Sequence, residues 1–483
     1  MIPHPLATHM ELASAFAAGF LHILMATGIT VHILLNKHDT KSSVGWIGLA
    51  WLAPLAGGLL YIILGINRIK RKAVRLRRRN TQAVPPPGKS IAGMLRELKP
   101  EYAAFLRFGH AVLPQEFMFG NTITPLQNGD EAYPAMASEI KKARKEVLLA
   151  SYIFTHDEAG LLIANALKTA ALGGVRVRVL VDGMGIRYAS PSIQNALDGV
   201  ENLEFRQFLP PRIPFSLPFV NLRNHRKLLV IDGAAAITGG MNISGGNLLK
   251  KHGAHGIADI TFRITGPVVD QLSRVFEDDW AFSGGKRFRP AAHAKTAQTQ
   301  EDTVCRVIPD GPDNDPGRLE WIILGALACA RESVTVATPY FLPSPSIMNA
   351  LEVCAMRGID TEIILPGKSN IFGMDWAMEA NFDRLLKAGI KIYRTQPPFD
   401  HSKFTVVDGR WSLIGSANWD MRSLRLNFEA NVECIGESFA RKLLAVAQAK
   451  KQSARLLRPH HGERISVAHR LRNNAFRLLT PYY

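Results

Sequence analysis

One short pattern occurs twice in this chain, and any fold it adopts must accommodate both copies. His225-Arg-Lys227-Leu-Leu-Val-Ile-Asp232-Gly233 is followed by Gly239-Gly240-Met-Asn242, and His401-Ser-Lys403-Phe-Thr-Val-Val-Asp408-Gly409 is followed by Gly415-Ser416-Ala-Asn418. The histidines lie 176 positions apart (401 − 225), too far for a solenoid repeat and suited to two fused copies of one domain. Each copy reads as a β-hairpin: β-branched and aromatic residues run up to an Asp-Gly turn signal, and the chain returns antiparallel. Alternation along the strand puts the His and Lys of each copy on one face. Whether the loop is Asp408-Gly409 or Gly409-Arg410, the pairing brings Ser416 and Asn418 to that face as well. An imidazole among a fixed cation, a hydroxyl and an amide is a site for an anionic group such as a phosphate. Asp232 and Asp408 stand an odd number of positions from their lysines, at the strand end, which favours turn-making over chemistry.

At these residues the chain resembles the phospholipase D superfamily, whose mark is the duplicated His-x-Lys-x4-Asp motif, over roughly Tyr133 to Glu437. Paired apolar segments at the N-terminus make it similar, more narrowly, to the bacterial cardiolipin synthases. The resemblance implies an α/β fold of two fused, pseudo-twofold-related phospholipase D-like sandwich domains, with His225, Lys227, Asp232, His401, Lys403 and Asp408 as the catalytic motif residues. It implies a covalent phosphatidyl-histidine intermediate, with one imidazole as nucleophile and the other as acid and base. The two copies are so alike that the choice of nucleophile stays open, with family analogy leaning to His225. Asn242, Ser416 and Asn418, with the lysines, would hold the phosphoryl oxygens, and neither metal nor cofactor is expected. Superfamily members place an acid downstream of each motif to orient its histidine. That assigns Asp259 to His225 and Glu429 to His401. The implied partners are phosphatidylglycerol and the lipid bilayer, the implied products cardiolipin and glycerol. A phospholipase, a phosphatidylserine synthase, a nuclease or an inactive scaffold are the alternatives.

Charge supports the lipid reading over a nucleic-acid one. The net charge is +17, which suits nucleic acid or an anionic membrane, and its placement decides between them. Arg68, Lys70, Arg71, Lys72, Arg75, Arg77, Arg78 and Arg79 directly follow an apolar run, forming a juxtamembrane segment that either binds anionic lipid or only fixes orientation. Leu12–Leu35 and Val44–Ile66 carry no Lys, Arg, Asp or Glu, and each is long enough to span a bilayer. The expectation is a transmembrane hairpin over 1–68 in the bacterial inner membrane, with the catalytic domains on the cytoplasmic side. His22 and His32 within the first span read as neutral packed groups. The four cysteines, Cys305, Cys329, Cys354 and Cys434, show no paired spacing and argue against a disulfide framework or zinc site.

The remaining chain divides into a basic, linker and connecting region (69–125), a first catalytic domain (126–295) and a second with C-terminal helices (296–483). Strand and helix signals alternate in the same order in both domains. Tyr152-Ile-Phe154 and Pro339-Tyr340-Phe341 end corresponding strands and either line the cleft or pack in the core. Leu209–Val220 contains four prolines and large apolar residues, so it is a loop, either an acyl-chain entrance or a cover over the core. Arg441–Tyr483 reads as a closing helix packed on the second domain, with a membrane-binding helix as the rival.

Overall fold

The computed structural model describes residues 5–37, 39–53, 55–62, 99–211, 222–292, 303–311, 317–458, 466–478 and 480. Two units divide the chain, Met1–Ala73 and Val74–Tyr483. The basic stretch 68–79, the linker 80–89 and residues 212–220 of the apolar proline-rich loop lie outside the described residues.

In the first unit, helix Pro5–Asn36 contains Ala13–Asn36, the one helix among the described residues long and apolar enough to cross a membrane. The second expected span is interrupted within its described part. Helix Thr40–Leu52 stops at Ala53, and a short helix, Ala56–Leu60, begins after Leu55 at φ 57°. The chain carries Pro54 at the break, which has no N–H for the helical ladder. Gly58 lets the second segment approach the first closely, because a Cβ there would sit 2.2 Å from Met25 Cε. The two histidines of the first expected span have polar partners: His32 Nδ1 lies 2.8 Å from Tyr61 Oη, and His22 Nε2 lies 3.2 Å from Trp51 O.

The second unit is built on two copies of a seven-stranded pattern. The first copy comprises β1 (Met118–Gln127), β2 (Glu146–Ser151), β3 (Arg176–Asp182), β4 (Leu203–Phe208), β5 (Leu228–Ile231), β6 (Ala235–Gly239) and β7 (Ile260–Thr265). The second comprises β8 (Thr303–Asp310), β9 (Ser333–Ala337), β10 (Asp360–Pro366), β11 (Lys391–Thr395), β12 (Phe404–Val407), β13 (Trp411–Gly415) and β14 (Glu429–Ile435). Strand order is β4-β3-β2-β5-β6-β7-β1 in the first and β11-β10-β9-β12-β13-β14-β8 in the second. The two copies join where β1 pairs antiparallel with β8, and the short strand Arg455–Leu456 extends the β11 edge. Within each copy the outer three strands run parallel and are joined through helices, such as Glu158–Leu172 and Pro345–Met356. Such crossovers lay helices on the outer strands, and the interior strands β2, β5, β6, β12, β13 and β14 are buried along their whole length.

Residues whose role the sequence left open find their places in this sheet. β1 begins at Met118, inside the stretch 69–125 read from sequence only as a connecting region, and is the seam strand of the first copy. Tyr102, Phe105 and Leu106, preceding it, belong to the apolar core of the second copy. Helix Glu437–Gln452 closes that copy and buries Phe439, Ala440, Leu443 and Ala447. Helix Val467–Leu478 buries no residue of its own and packs beside helix Met374–Lys387.

The hairpins differ from expectation by one residue. Val407 pairs with Trp411 and Ile231 with Ala235, so each loop holds three residues, not two. Parity along the returning strand is thereby inverted, and the ladder does not carry Ser416 and Asn418 to the face of Lys403. The cause is the turn aspartate. Asp232 and Asp408 adopt φ 52° and 53°, each followed by glycine at positive φ. The Asp232 carboxylate accepts the N–H groups of Arg144, Lys145 and Glu146 at 2.7–2.8 Å. Asp408 accepts those of Arg331, Glu332 and Ser333 at 2.8–3.2 Å. Although the motif counts these aspartates among its catalytic residues, here they tie the hairpin to the start of the neighbouring strand.

Replacing Asp408 by Ala strands three N–H donors and should lower stability by roughly 2–3 kcal/mol, read as a shifted urea midpoint of the detergent-solubilised chain. An unchanged midpoint with turnover abolished would instead place Asp408 in the chemistry.

Candidate active site

Two short exchanges of backbone between the copies build the site. Asn224 forms a parallel bridge with Phe428, and His225 N donates to Phe428 O at 2.9 Å. In the other direction, Phe399–Asp400 pairs in parallel with Ile257–Ala258, and His401 N donates to Ala258 O at 2.7 Å. Each histidine therefore enters beside the residue that precedes the other copy's downstream acid.

The orienting acids are consequently crossed relative to the assignment from sequence. His225 Nδ1 lies 3.1 Å from both oxygens of Glu429, and His401 Nδ1 lies 2.8 Å from Asp259 Oδ2. Linear order pairs each acid with the motif preceding it, and strand exchange between copies has no signature in linear spacing. Both carboxylates are buried and each histidine side chain is 12% exposed; the bond at Nδ1 fixes the tautomer and leaves Nε2 as the nitrogen for chemistry, with Lys403 Nζ 3.1 Å from that of His401.

Both imidazoles line one cavity of about 380 Å³ together with Asn242, Asn418, Asp259, Tyr152 and Tyr340, a size suited to a polar headgroup. Tyr152 stands edge-on to His225 at 5.2 Å between ring centres, and Tyr340 edge-on to His401 at 6.0 Å. Phe154 and Phe341, two and one positions further on, are core residues, so the aromatic pairs divide between the two roles considered for them. Asn242 Oδ1 accepts Ile153 N at 3.2 Å, and Asn418 Nδ2 donates to Ser423 Oγ at 3.2 Å. The glycines before these asparagines permit the turn into the site: Gly415 has φ 150°, and a Cβ there would sit 2.4 Å from Ala430 O.

Ser416, expected to hold phosphate, stands behind the cavity instead. Its Oγ donates to Glu429 Oε2 at 2.5 Å and accepts Ala430 N at 3.0 Å. It thus helps hold the acid that holds His225. Arg226, which the motif leaves unspecified, braces the same point: its Nε donates to Glu429 O at 2.9 Å, its Nη2 to Asp310 O at 3.0 Å, and its Nη1 pairs with Asp279.

The lysines fold back on their own histidines. Lys227 Nζ donates to His225 O at 2.7 Å, and Lys403 Nζ donates to His401 O at 2.8 Å. Burial and Lys227 hold the His225 imidazolium down to about 4 against the pull of Glu429. Burial and Lys403 lower His401, with Asp259 opposing. Burial lowers Lys227 to about 7 and Lys403 to about 8. Burial pushes the Glu429 carboxyl up, yet His225, Lys227 and Ser416 together hold it below its ordinary value. Four basic groups thus share two orienting carboxylates in a buried cleft, an arrangement that an incoming anion relieves. Among the described residues no cluster of His, Cys, Asp and Glu is arranged to hold a metal ion.

Glu429→Gln should cost about 10²-fold or more in turnover and shift the ring-nitrogen NMR signals of His225 while leaving those of His401 in place. A response at His401 alone would mean that each acid serves its own copy. Affinity for a phosphodiester of fixed charge, such as glycerophosphoglycerol, should fall as pH rises through about 7 and 8, where Lys227 and Lys403 discharge. Calorimetry showing flat affinity across that window would contradict their role.

Comparison with known proteins bears on the same residues. A family model described as cardiolipin synthase, PLD-like domain, matches residues 136–280 and 323–450, one segment on each histidine-bearing copy. The chain is similar to the cardiolipin synthase of Geobacillus kaustophilus, 32% identical over 425 residues that cover 86% of this chain and 84% of that protein. It is 31% identical to cardiolipin synthase A of Yersinia pseudotuberculosis over 489 residues, covering 96% and 97% of the two. Among solved structures, phosphatidylserine synthase from Haemophilus influenzae shares the fold, with TM-score 0.60 at 15% identity, over 80% of this chain and all of that one. With both segments matched and similarity running nearly end to end, the chain belongs to the cardiolipin synthase family of phospholipase D-like proteins.

Proposed function

We propose that this protein transfers a phosphatidyl group from one phosphatidylglycerol to another, giving cardiolipin and glycerol. The observation that carries the reading is the crossed pair of carboxylate-held histidines lining one buried, base-rich cavity. In the first step, a neutral imidazole Nε2 attacks phosphorus and forms a P–N bond. The P–O bond to glycerol breaks, and the opposite imidazolium gives its proton to the departing alkoxide. In the second step, that imidazole takes the proton from the terminal hydroxyl of a second phosphatidylglycerol, whose oxygen attacks phosphorus as the P–N bond breaks. Lys227, Lys403, Asn242 and Asn418 hold the phosphoryl oxygens, whose negative charge restores the lysines to their charged form. Protonation of the acid imidazole also becomes easier once the phosphodiester is bound, because an anion beside it offsets the burial that otherwise lowers its pKa.

Membrane lipid is the partner, reached from an apolar N-terminal unit. The basic run 68–79 supports a cytoplasmic side for the catalytic unit by the positive-inside rule, and two crossings by the segments before it would return the N-terminus to that side.

Purified full-length protein given phosphatidylglycerol vesicles alone should yield cardiolipin and glycerol in equal amounts, and His225→Ala and His401→Ala should each reduce the rate by about 10³-fold or more. Phosphatidic acid and glycerol as the only products would instead identify a hydrolase.

A further inference from the structure

The two copies of the site agree in their histidines, lysines and asparagines and diverge just beyond the asparagines. Two residues after Asn242, Ser244 caps the helical turn Gly245–Asn247 by accepting Gly246 N. Two residues after Asn418, Asp420 caps helix Met421–Arg425 by accepting Ser423 N. The second residue past each cap is Gly246 in one copy and Arg422 in the other. A guanidinium therefore stands on one flank of the cavity where the pseudo-twofold mate carries no side chain.

Arg422 is half-buried and lines the cavity that contains both histidines. The other arginine lining it, Arg223, is closed off by its 3.1 Å ion pair with the buried Asp182. Arg422 makes no ion pair or side-chain hydrogen bond with any described residue. Its charge acts on Tyr152, the ring set edge-on to His225, and on Asp420, whose carboxylate is already engaged as the helix cap at 2.7 Å from Ser423 N. A half-buried guanidinium without a partner among the described residues, lining a headgroup-sized cleft, is suited to bind an anionic oxygen.

We infer that Arg422 forms a second anion site in the cavity, which takes the phosphodiester of the acceptor lipid while the histidines, lysines and asparagines hold the phosphoryl group in transfer. This rests on the two-lipid transfer proposed above. That reaction needs an asymmetric addition of this kind. The glycerol that leaves is neutral, whereas the alcohol that replaces it carries its own phosphodiester one glycerol bridge away from the attacking oxygen. The paired histidines, lysines and asparagines are committed to the phosphoryl group in transfer. One unpaired cation on one flank provides for the second and favours a lipid acceptor over water or a small alcohol.

The test compares acceptors in the full-length protein. Wild type, Arg422→Gln and Arg422→Lys are given phosphatidylglycerol vesicles, alone or with 1-butanol, and cardiolipin and phosphatidylbutanol are measured together. Arg422→Gln should lower cardiolipin formation about tenfold or more, as expected for one lost charge-assisted contact, and leave phosphatidylbutanol formation within about twofold of wild type. Arg422→Lys should recover part of the cardiolipin rate. Equal loss of both products would assign Arg422 to the reacting phosphate or to the fold, and unchanged cardiolipin formation would remove the subsite; either result overturns the inference. Wild type that makes phosphatidylbutanol but no cardiolipin would overturn the two-lipid reading itself, and this subsite with it.

Discussion

Each motif histidine is held by a carboxylate from the opposite copy, and the rest of the candidate site depends on that exchange. The backbone bridges that bring Asn224 beside Phe428 and Asp400 beside Ala258 put His225 next to Glu429 and His401 next to Asp259. Neither copy contains a complete site. Each acid reaches its imidazole only across the junction of the two copies. Closure of the two copies on each other therefore assembles the chemistry and satisfies the acids at the same time.

Burial gives this exchange its chemical meaning. Removed from water, the imidazoles resist protonation and the lysines sit near the edge of discharge, with their ammonium groups bonded to the carbonyls of their own histidines. The cleft is therefore poised for an anion, whose arrival strengthens the charges that stabilise it. Supporting groups keep the geometry fixed. Ser416 and Arg226 hold Glu429 from behind, while Asp232 and Asp408 anchor the far ends of the hairpins on which the lysines begin. Removing any one of these props acts on the reaction only through the group it positions.

Symmetry is close at the reacting groups and relaxes away from them. Arg226 braces one histidine, whereas Ser402 stands at the equivalent place beside the other. Gly246 and Arg422 differ likewise on the cavity wall. A duplicated domain can diverge at such positions while the histidines, lysines and asparagines stay the same in both copies. In the N-terminal unit one described helix is long and apolar enough to cross a membrane, while the helical segment after it stops at Leu52 and resumes at Ala56.

Much of this was legible in the sequence because it is local. Duplication, hairpins, the long apolar helix and the alternation of strands with helices arise from residue spacing and side-chain periodicity, which act over a few neighbours. The motif residues were legible for the same reason, and the family resemblance supplied their chemistry and the downstream acids. Relations between distant segments were not. Hairpin parity turned on one residue, since an aspartate reaching back to three N–H groups more than seventy positions away sets a three-residue loop. Ser416 became a support for Glu429, and the acids changed partners, because parallel pairing between copies leaves no periodic trace in either strand. The sequence by itself determined which groups are available and on what local elements they ride. Only tertiary structure decided which of them meet, since the meeting depends on how two distant sheets close against each other and on which charges that closure removes from water.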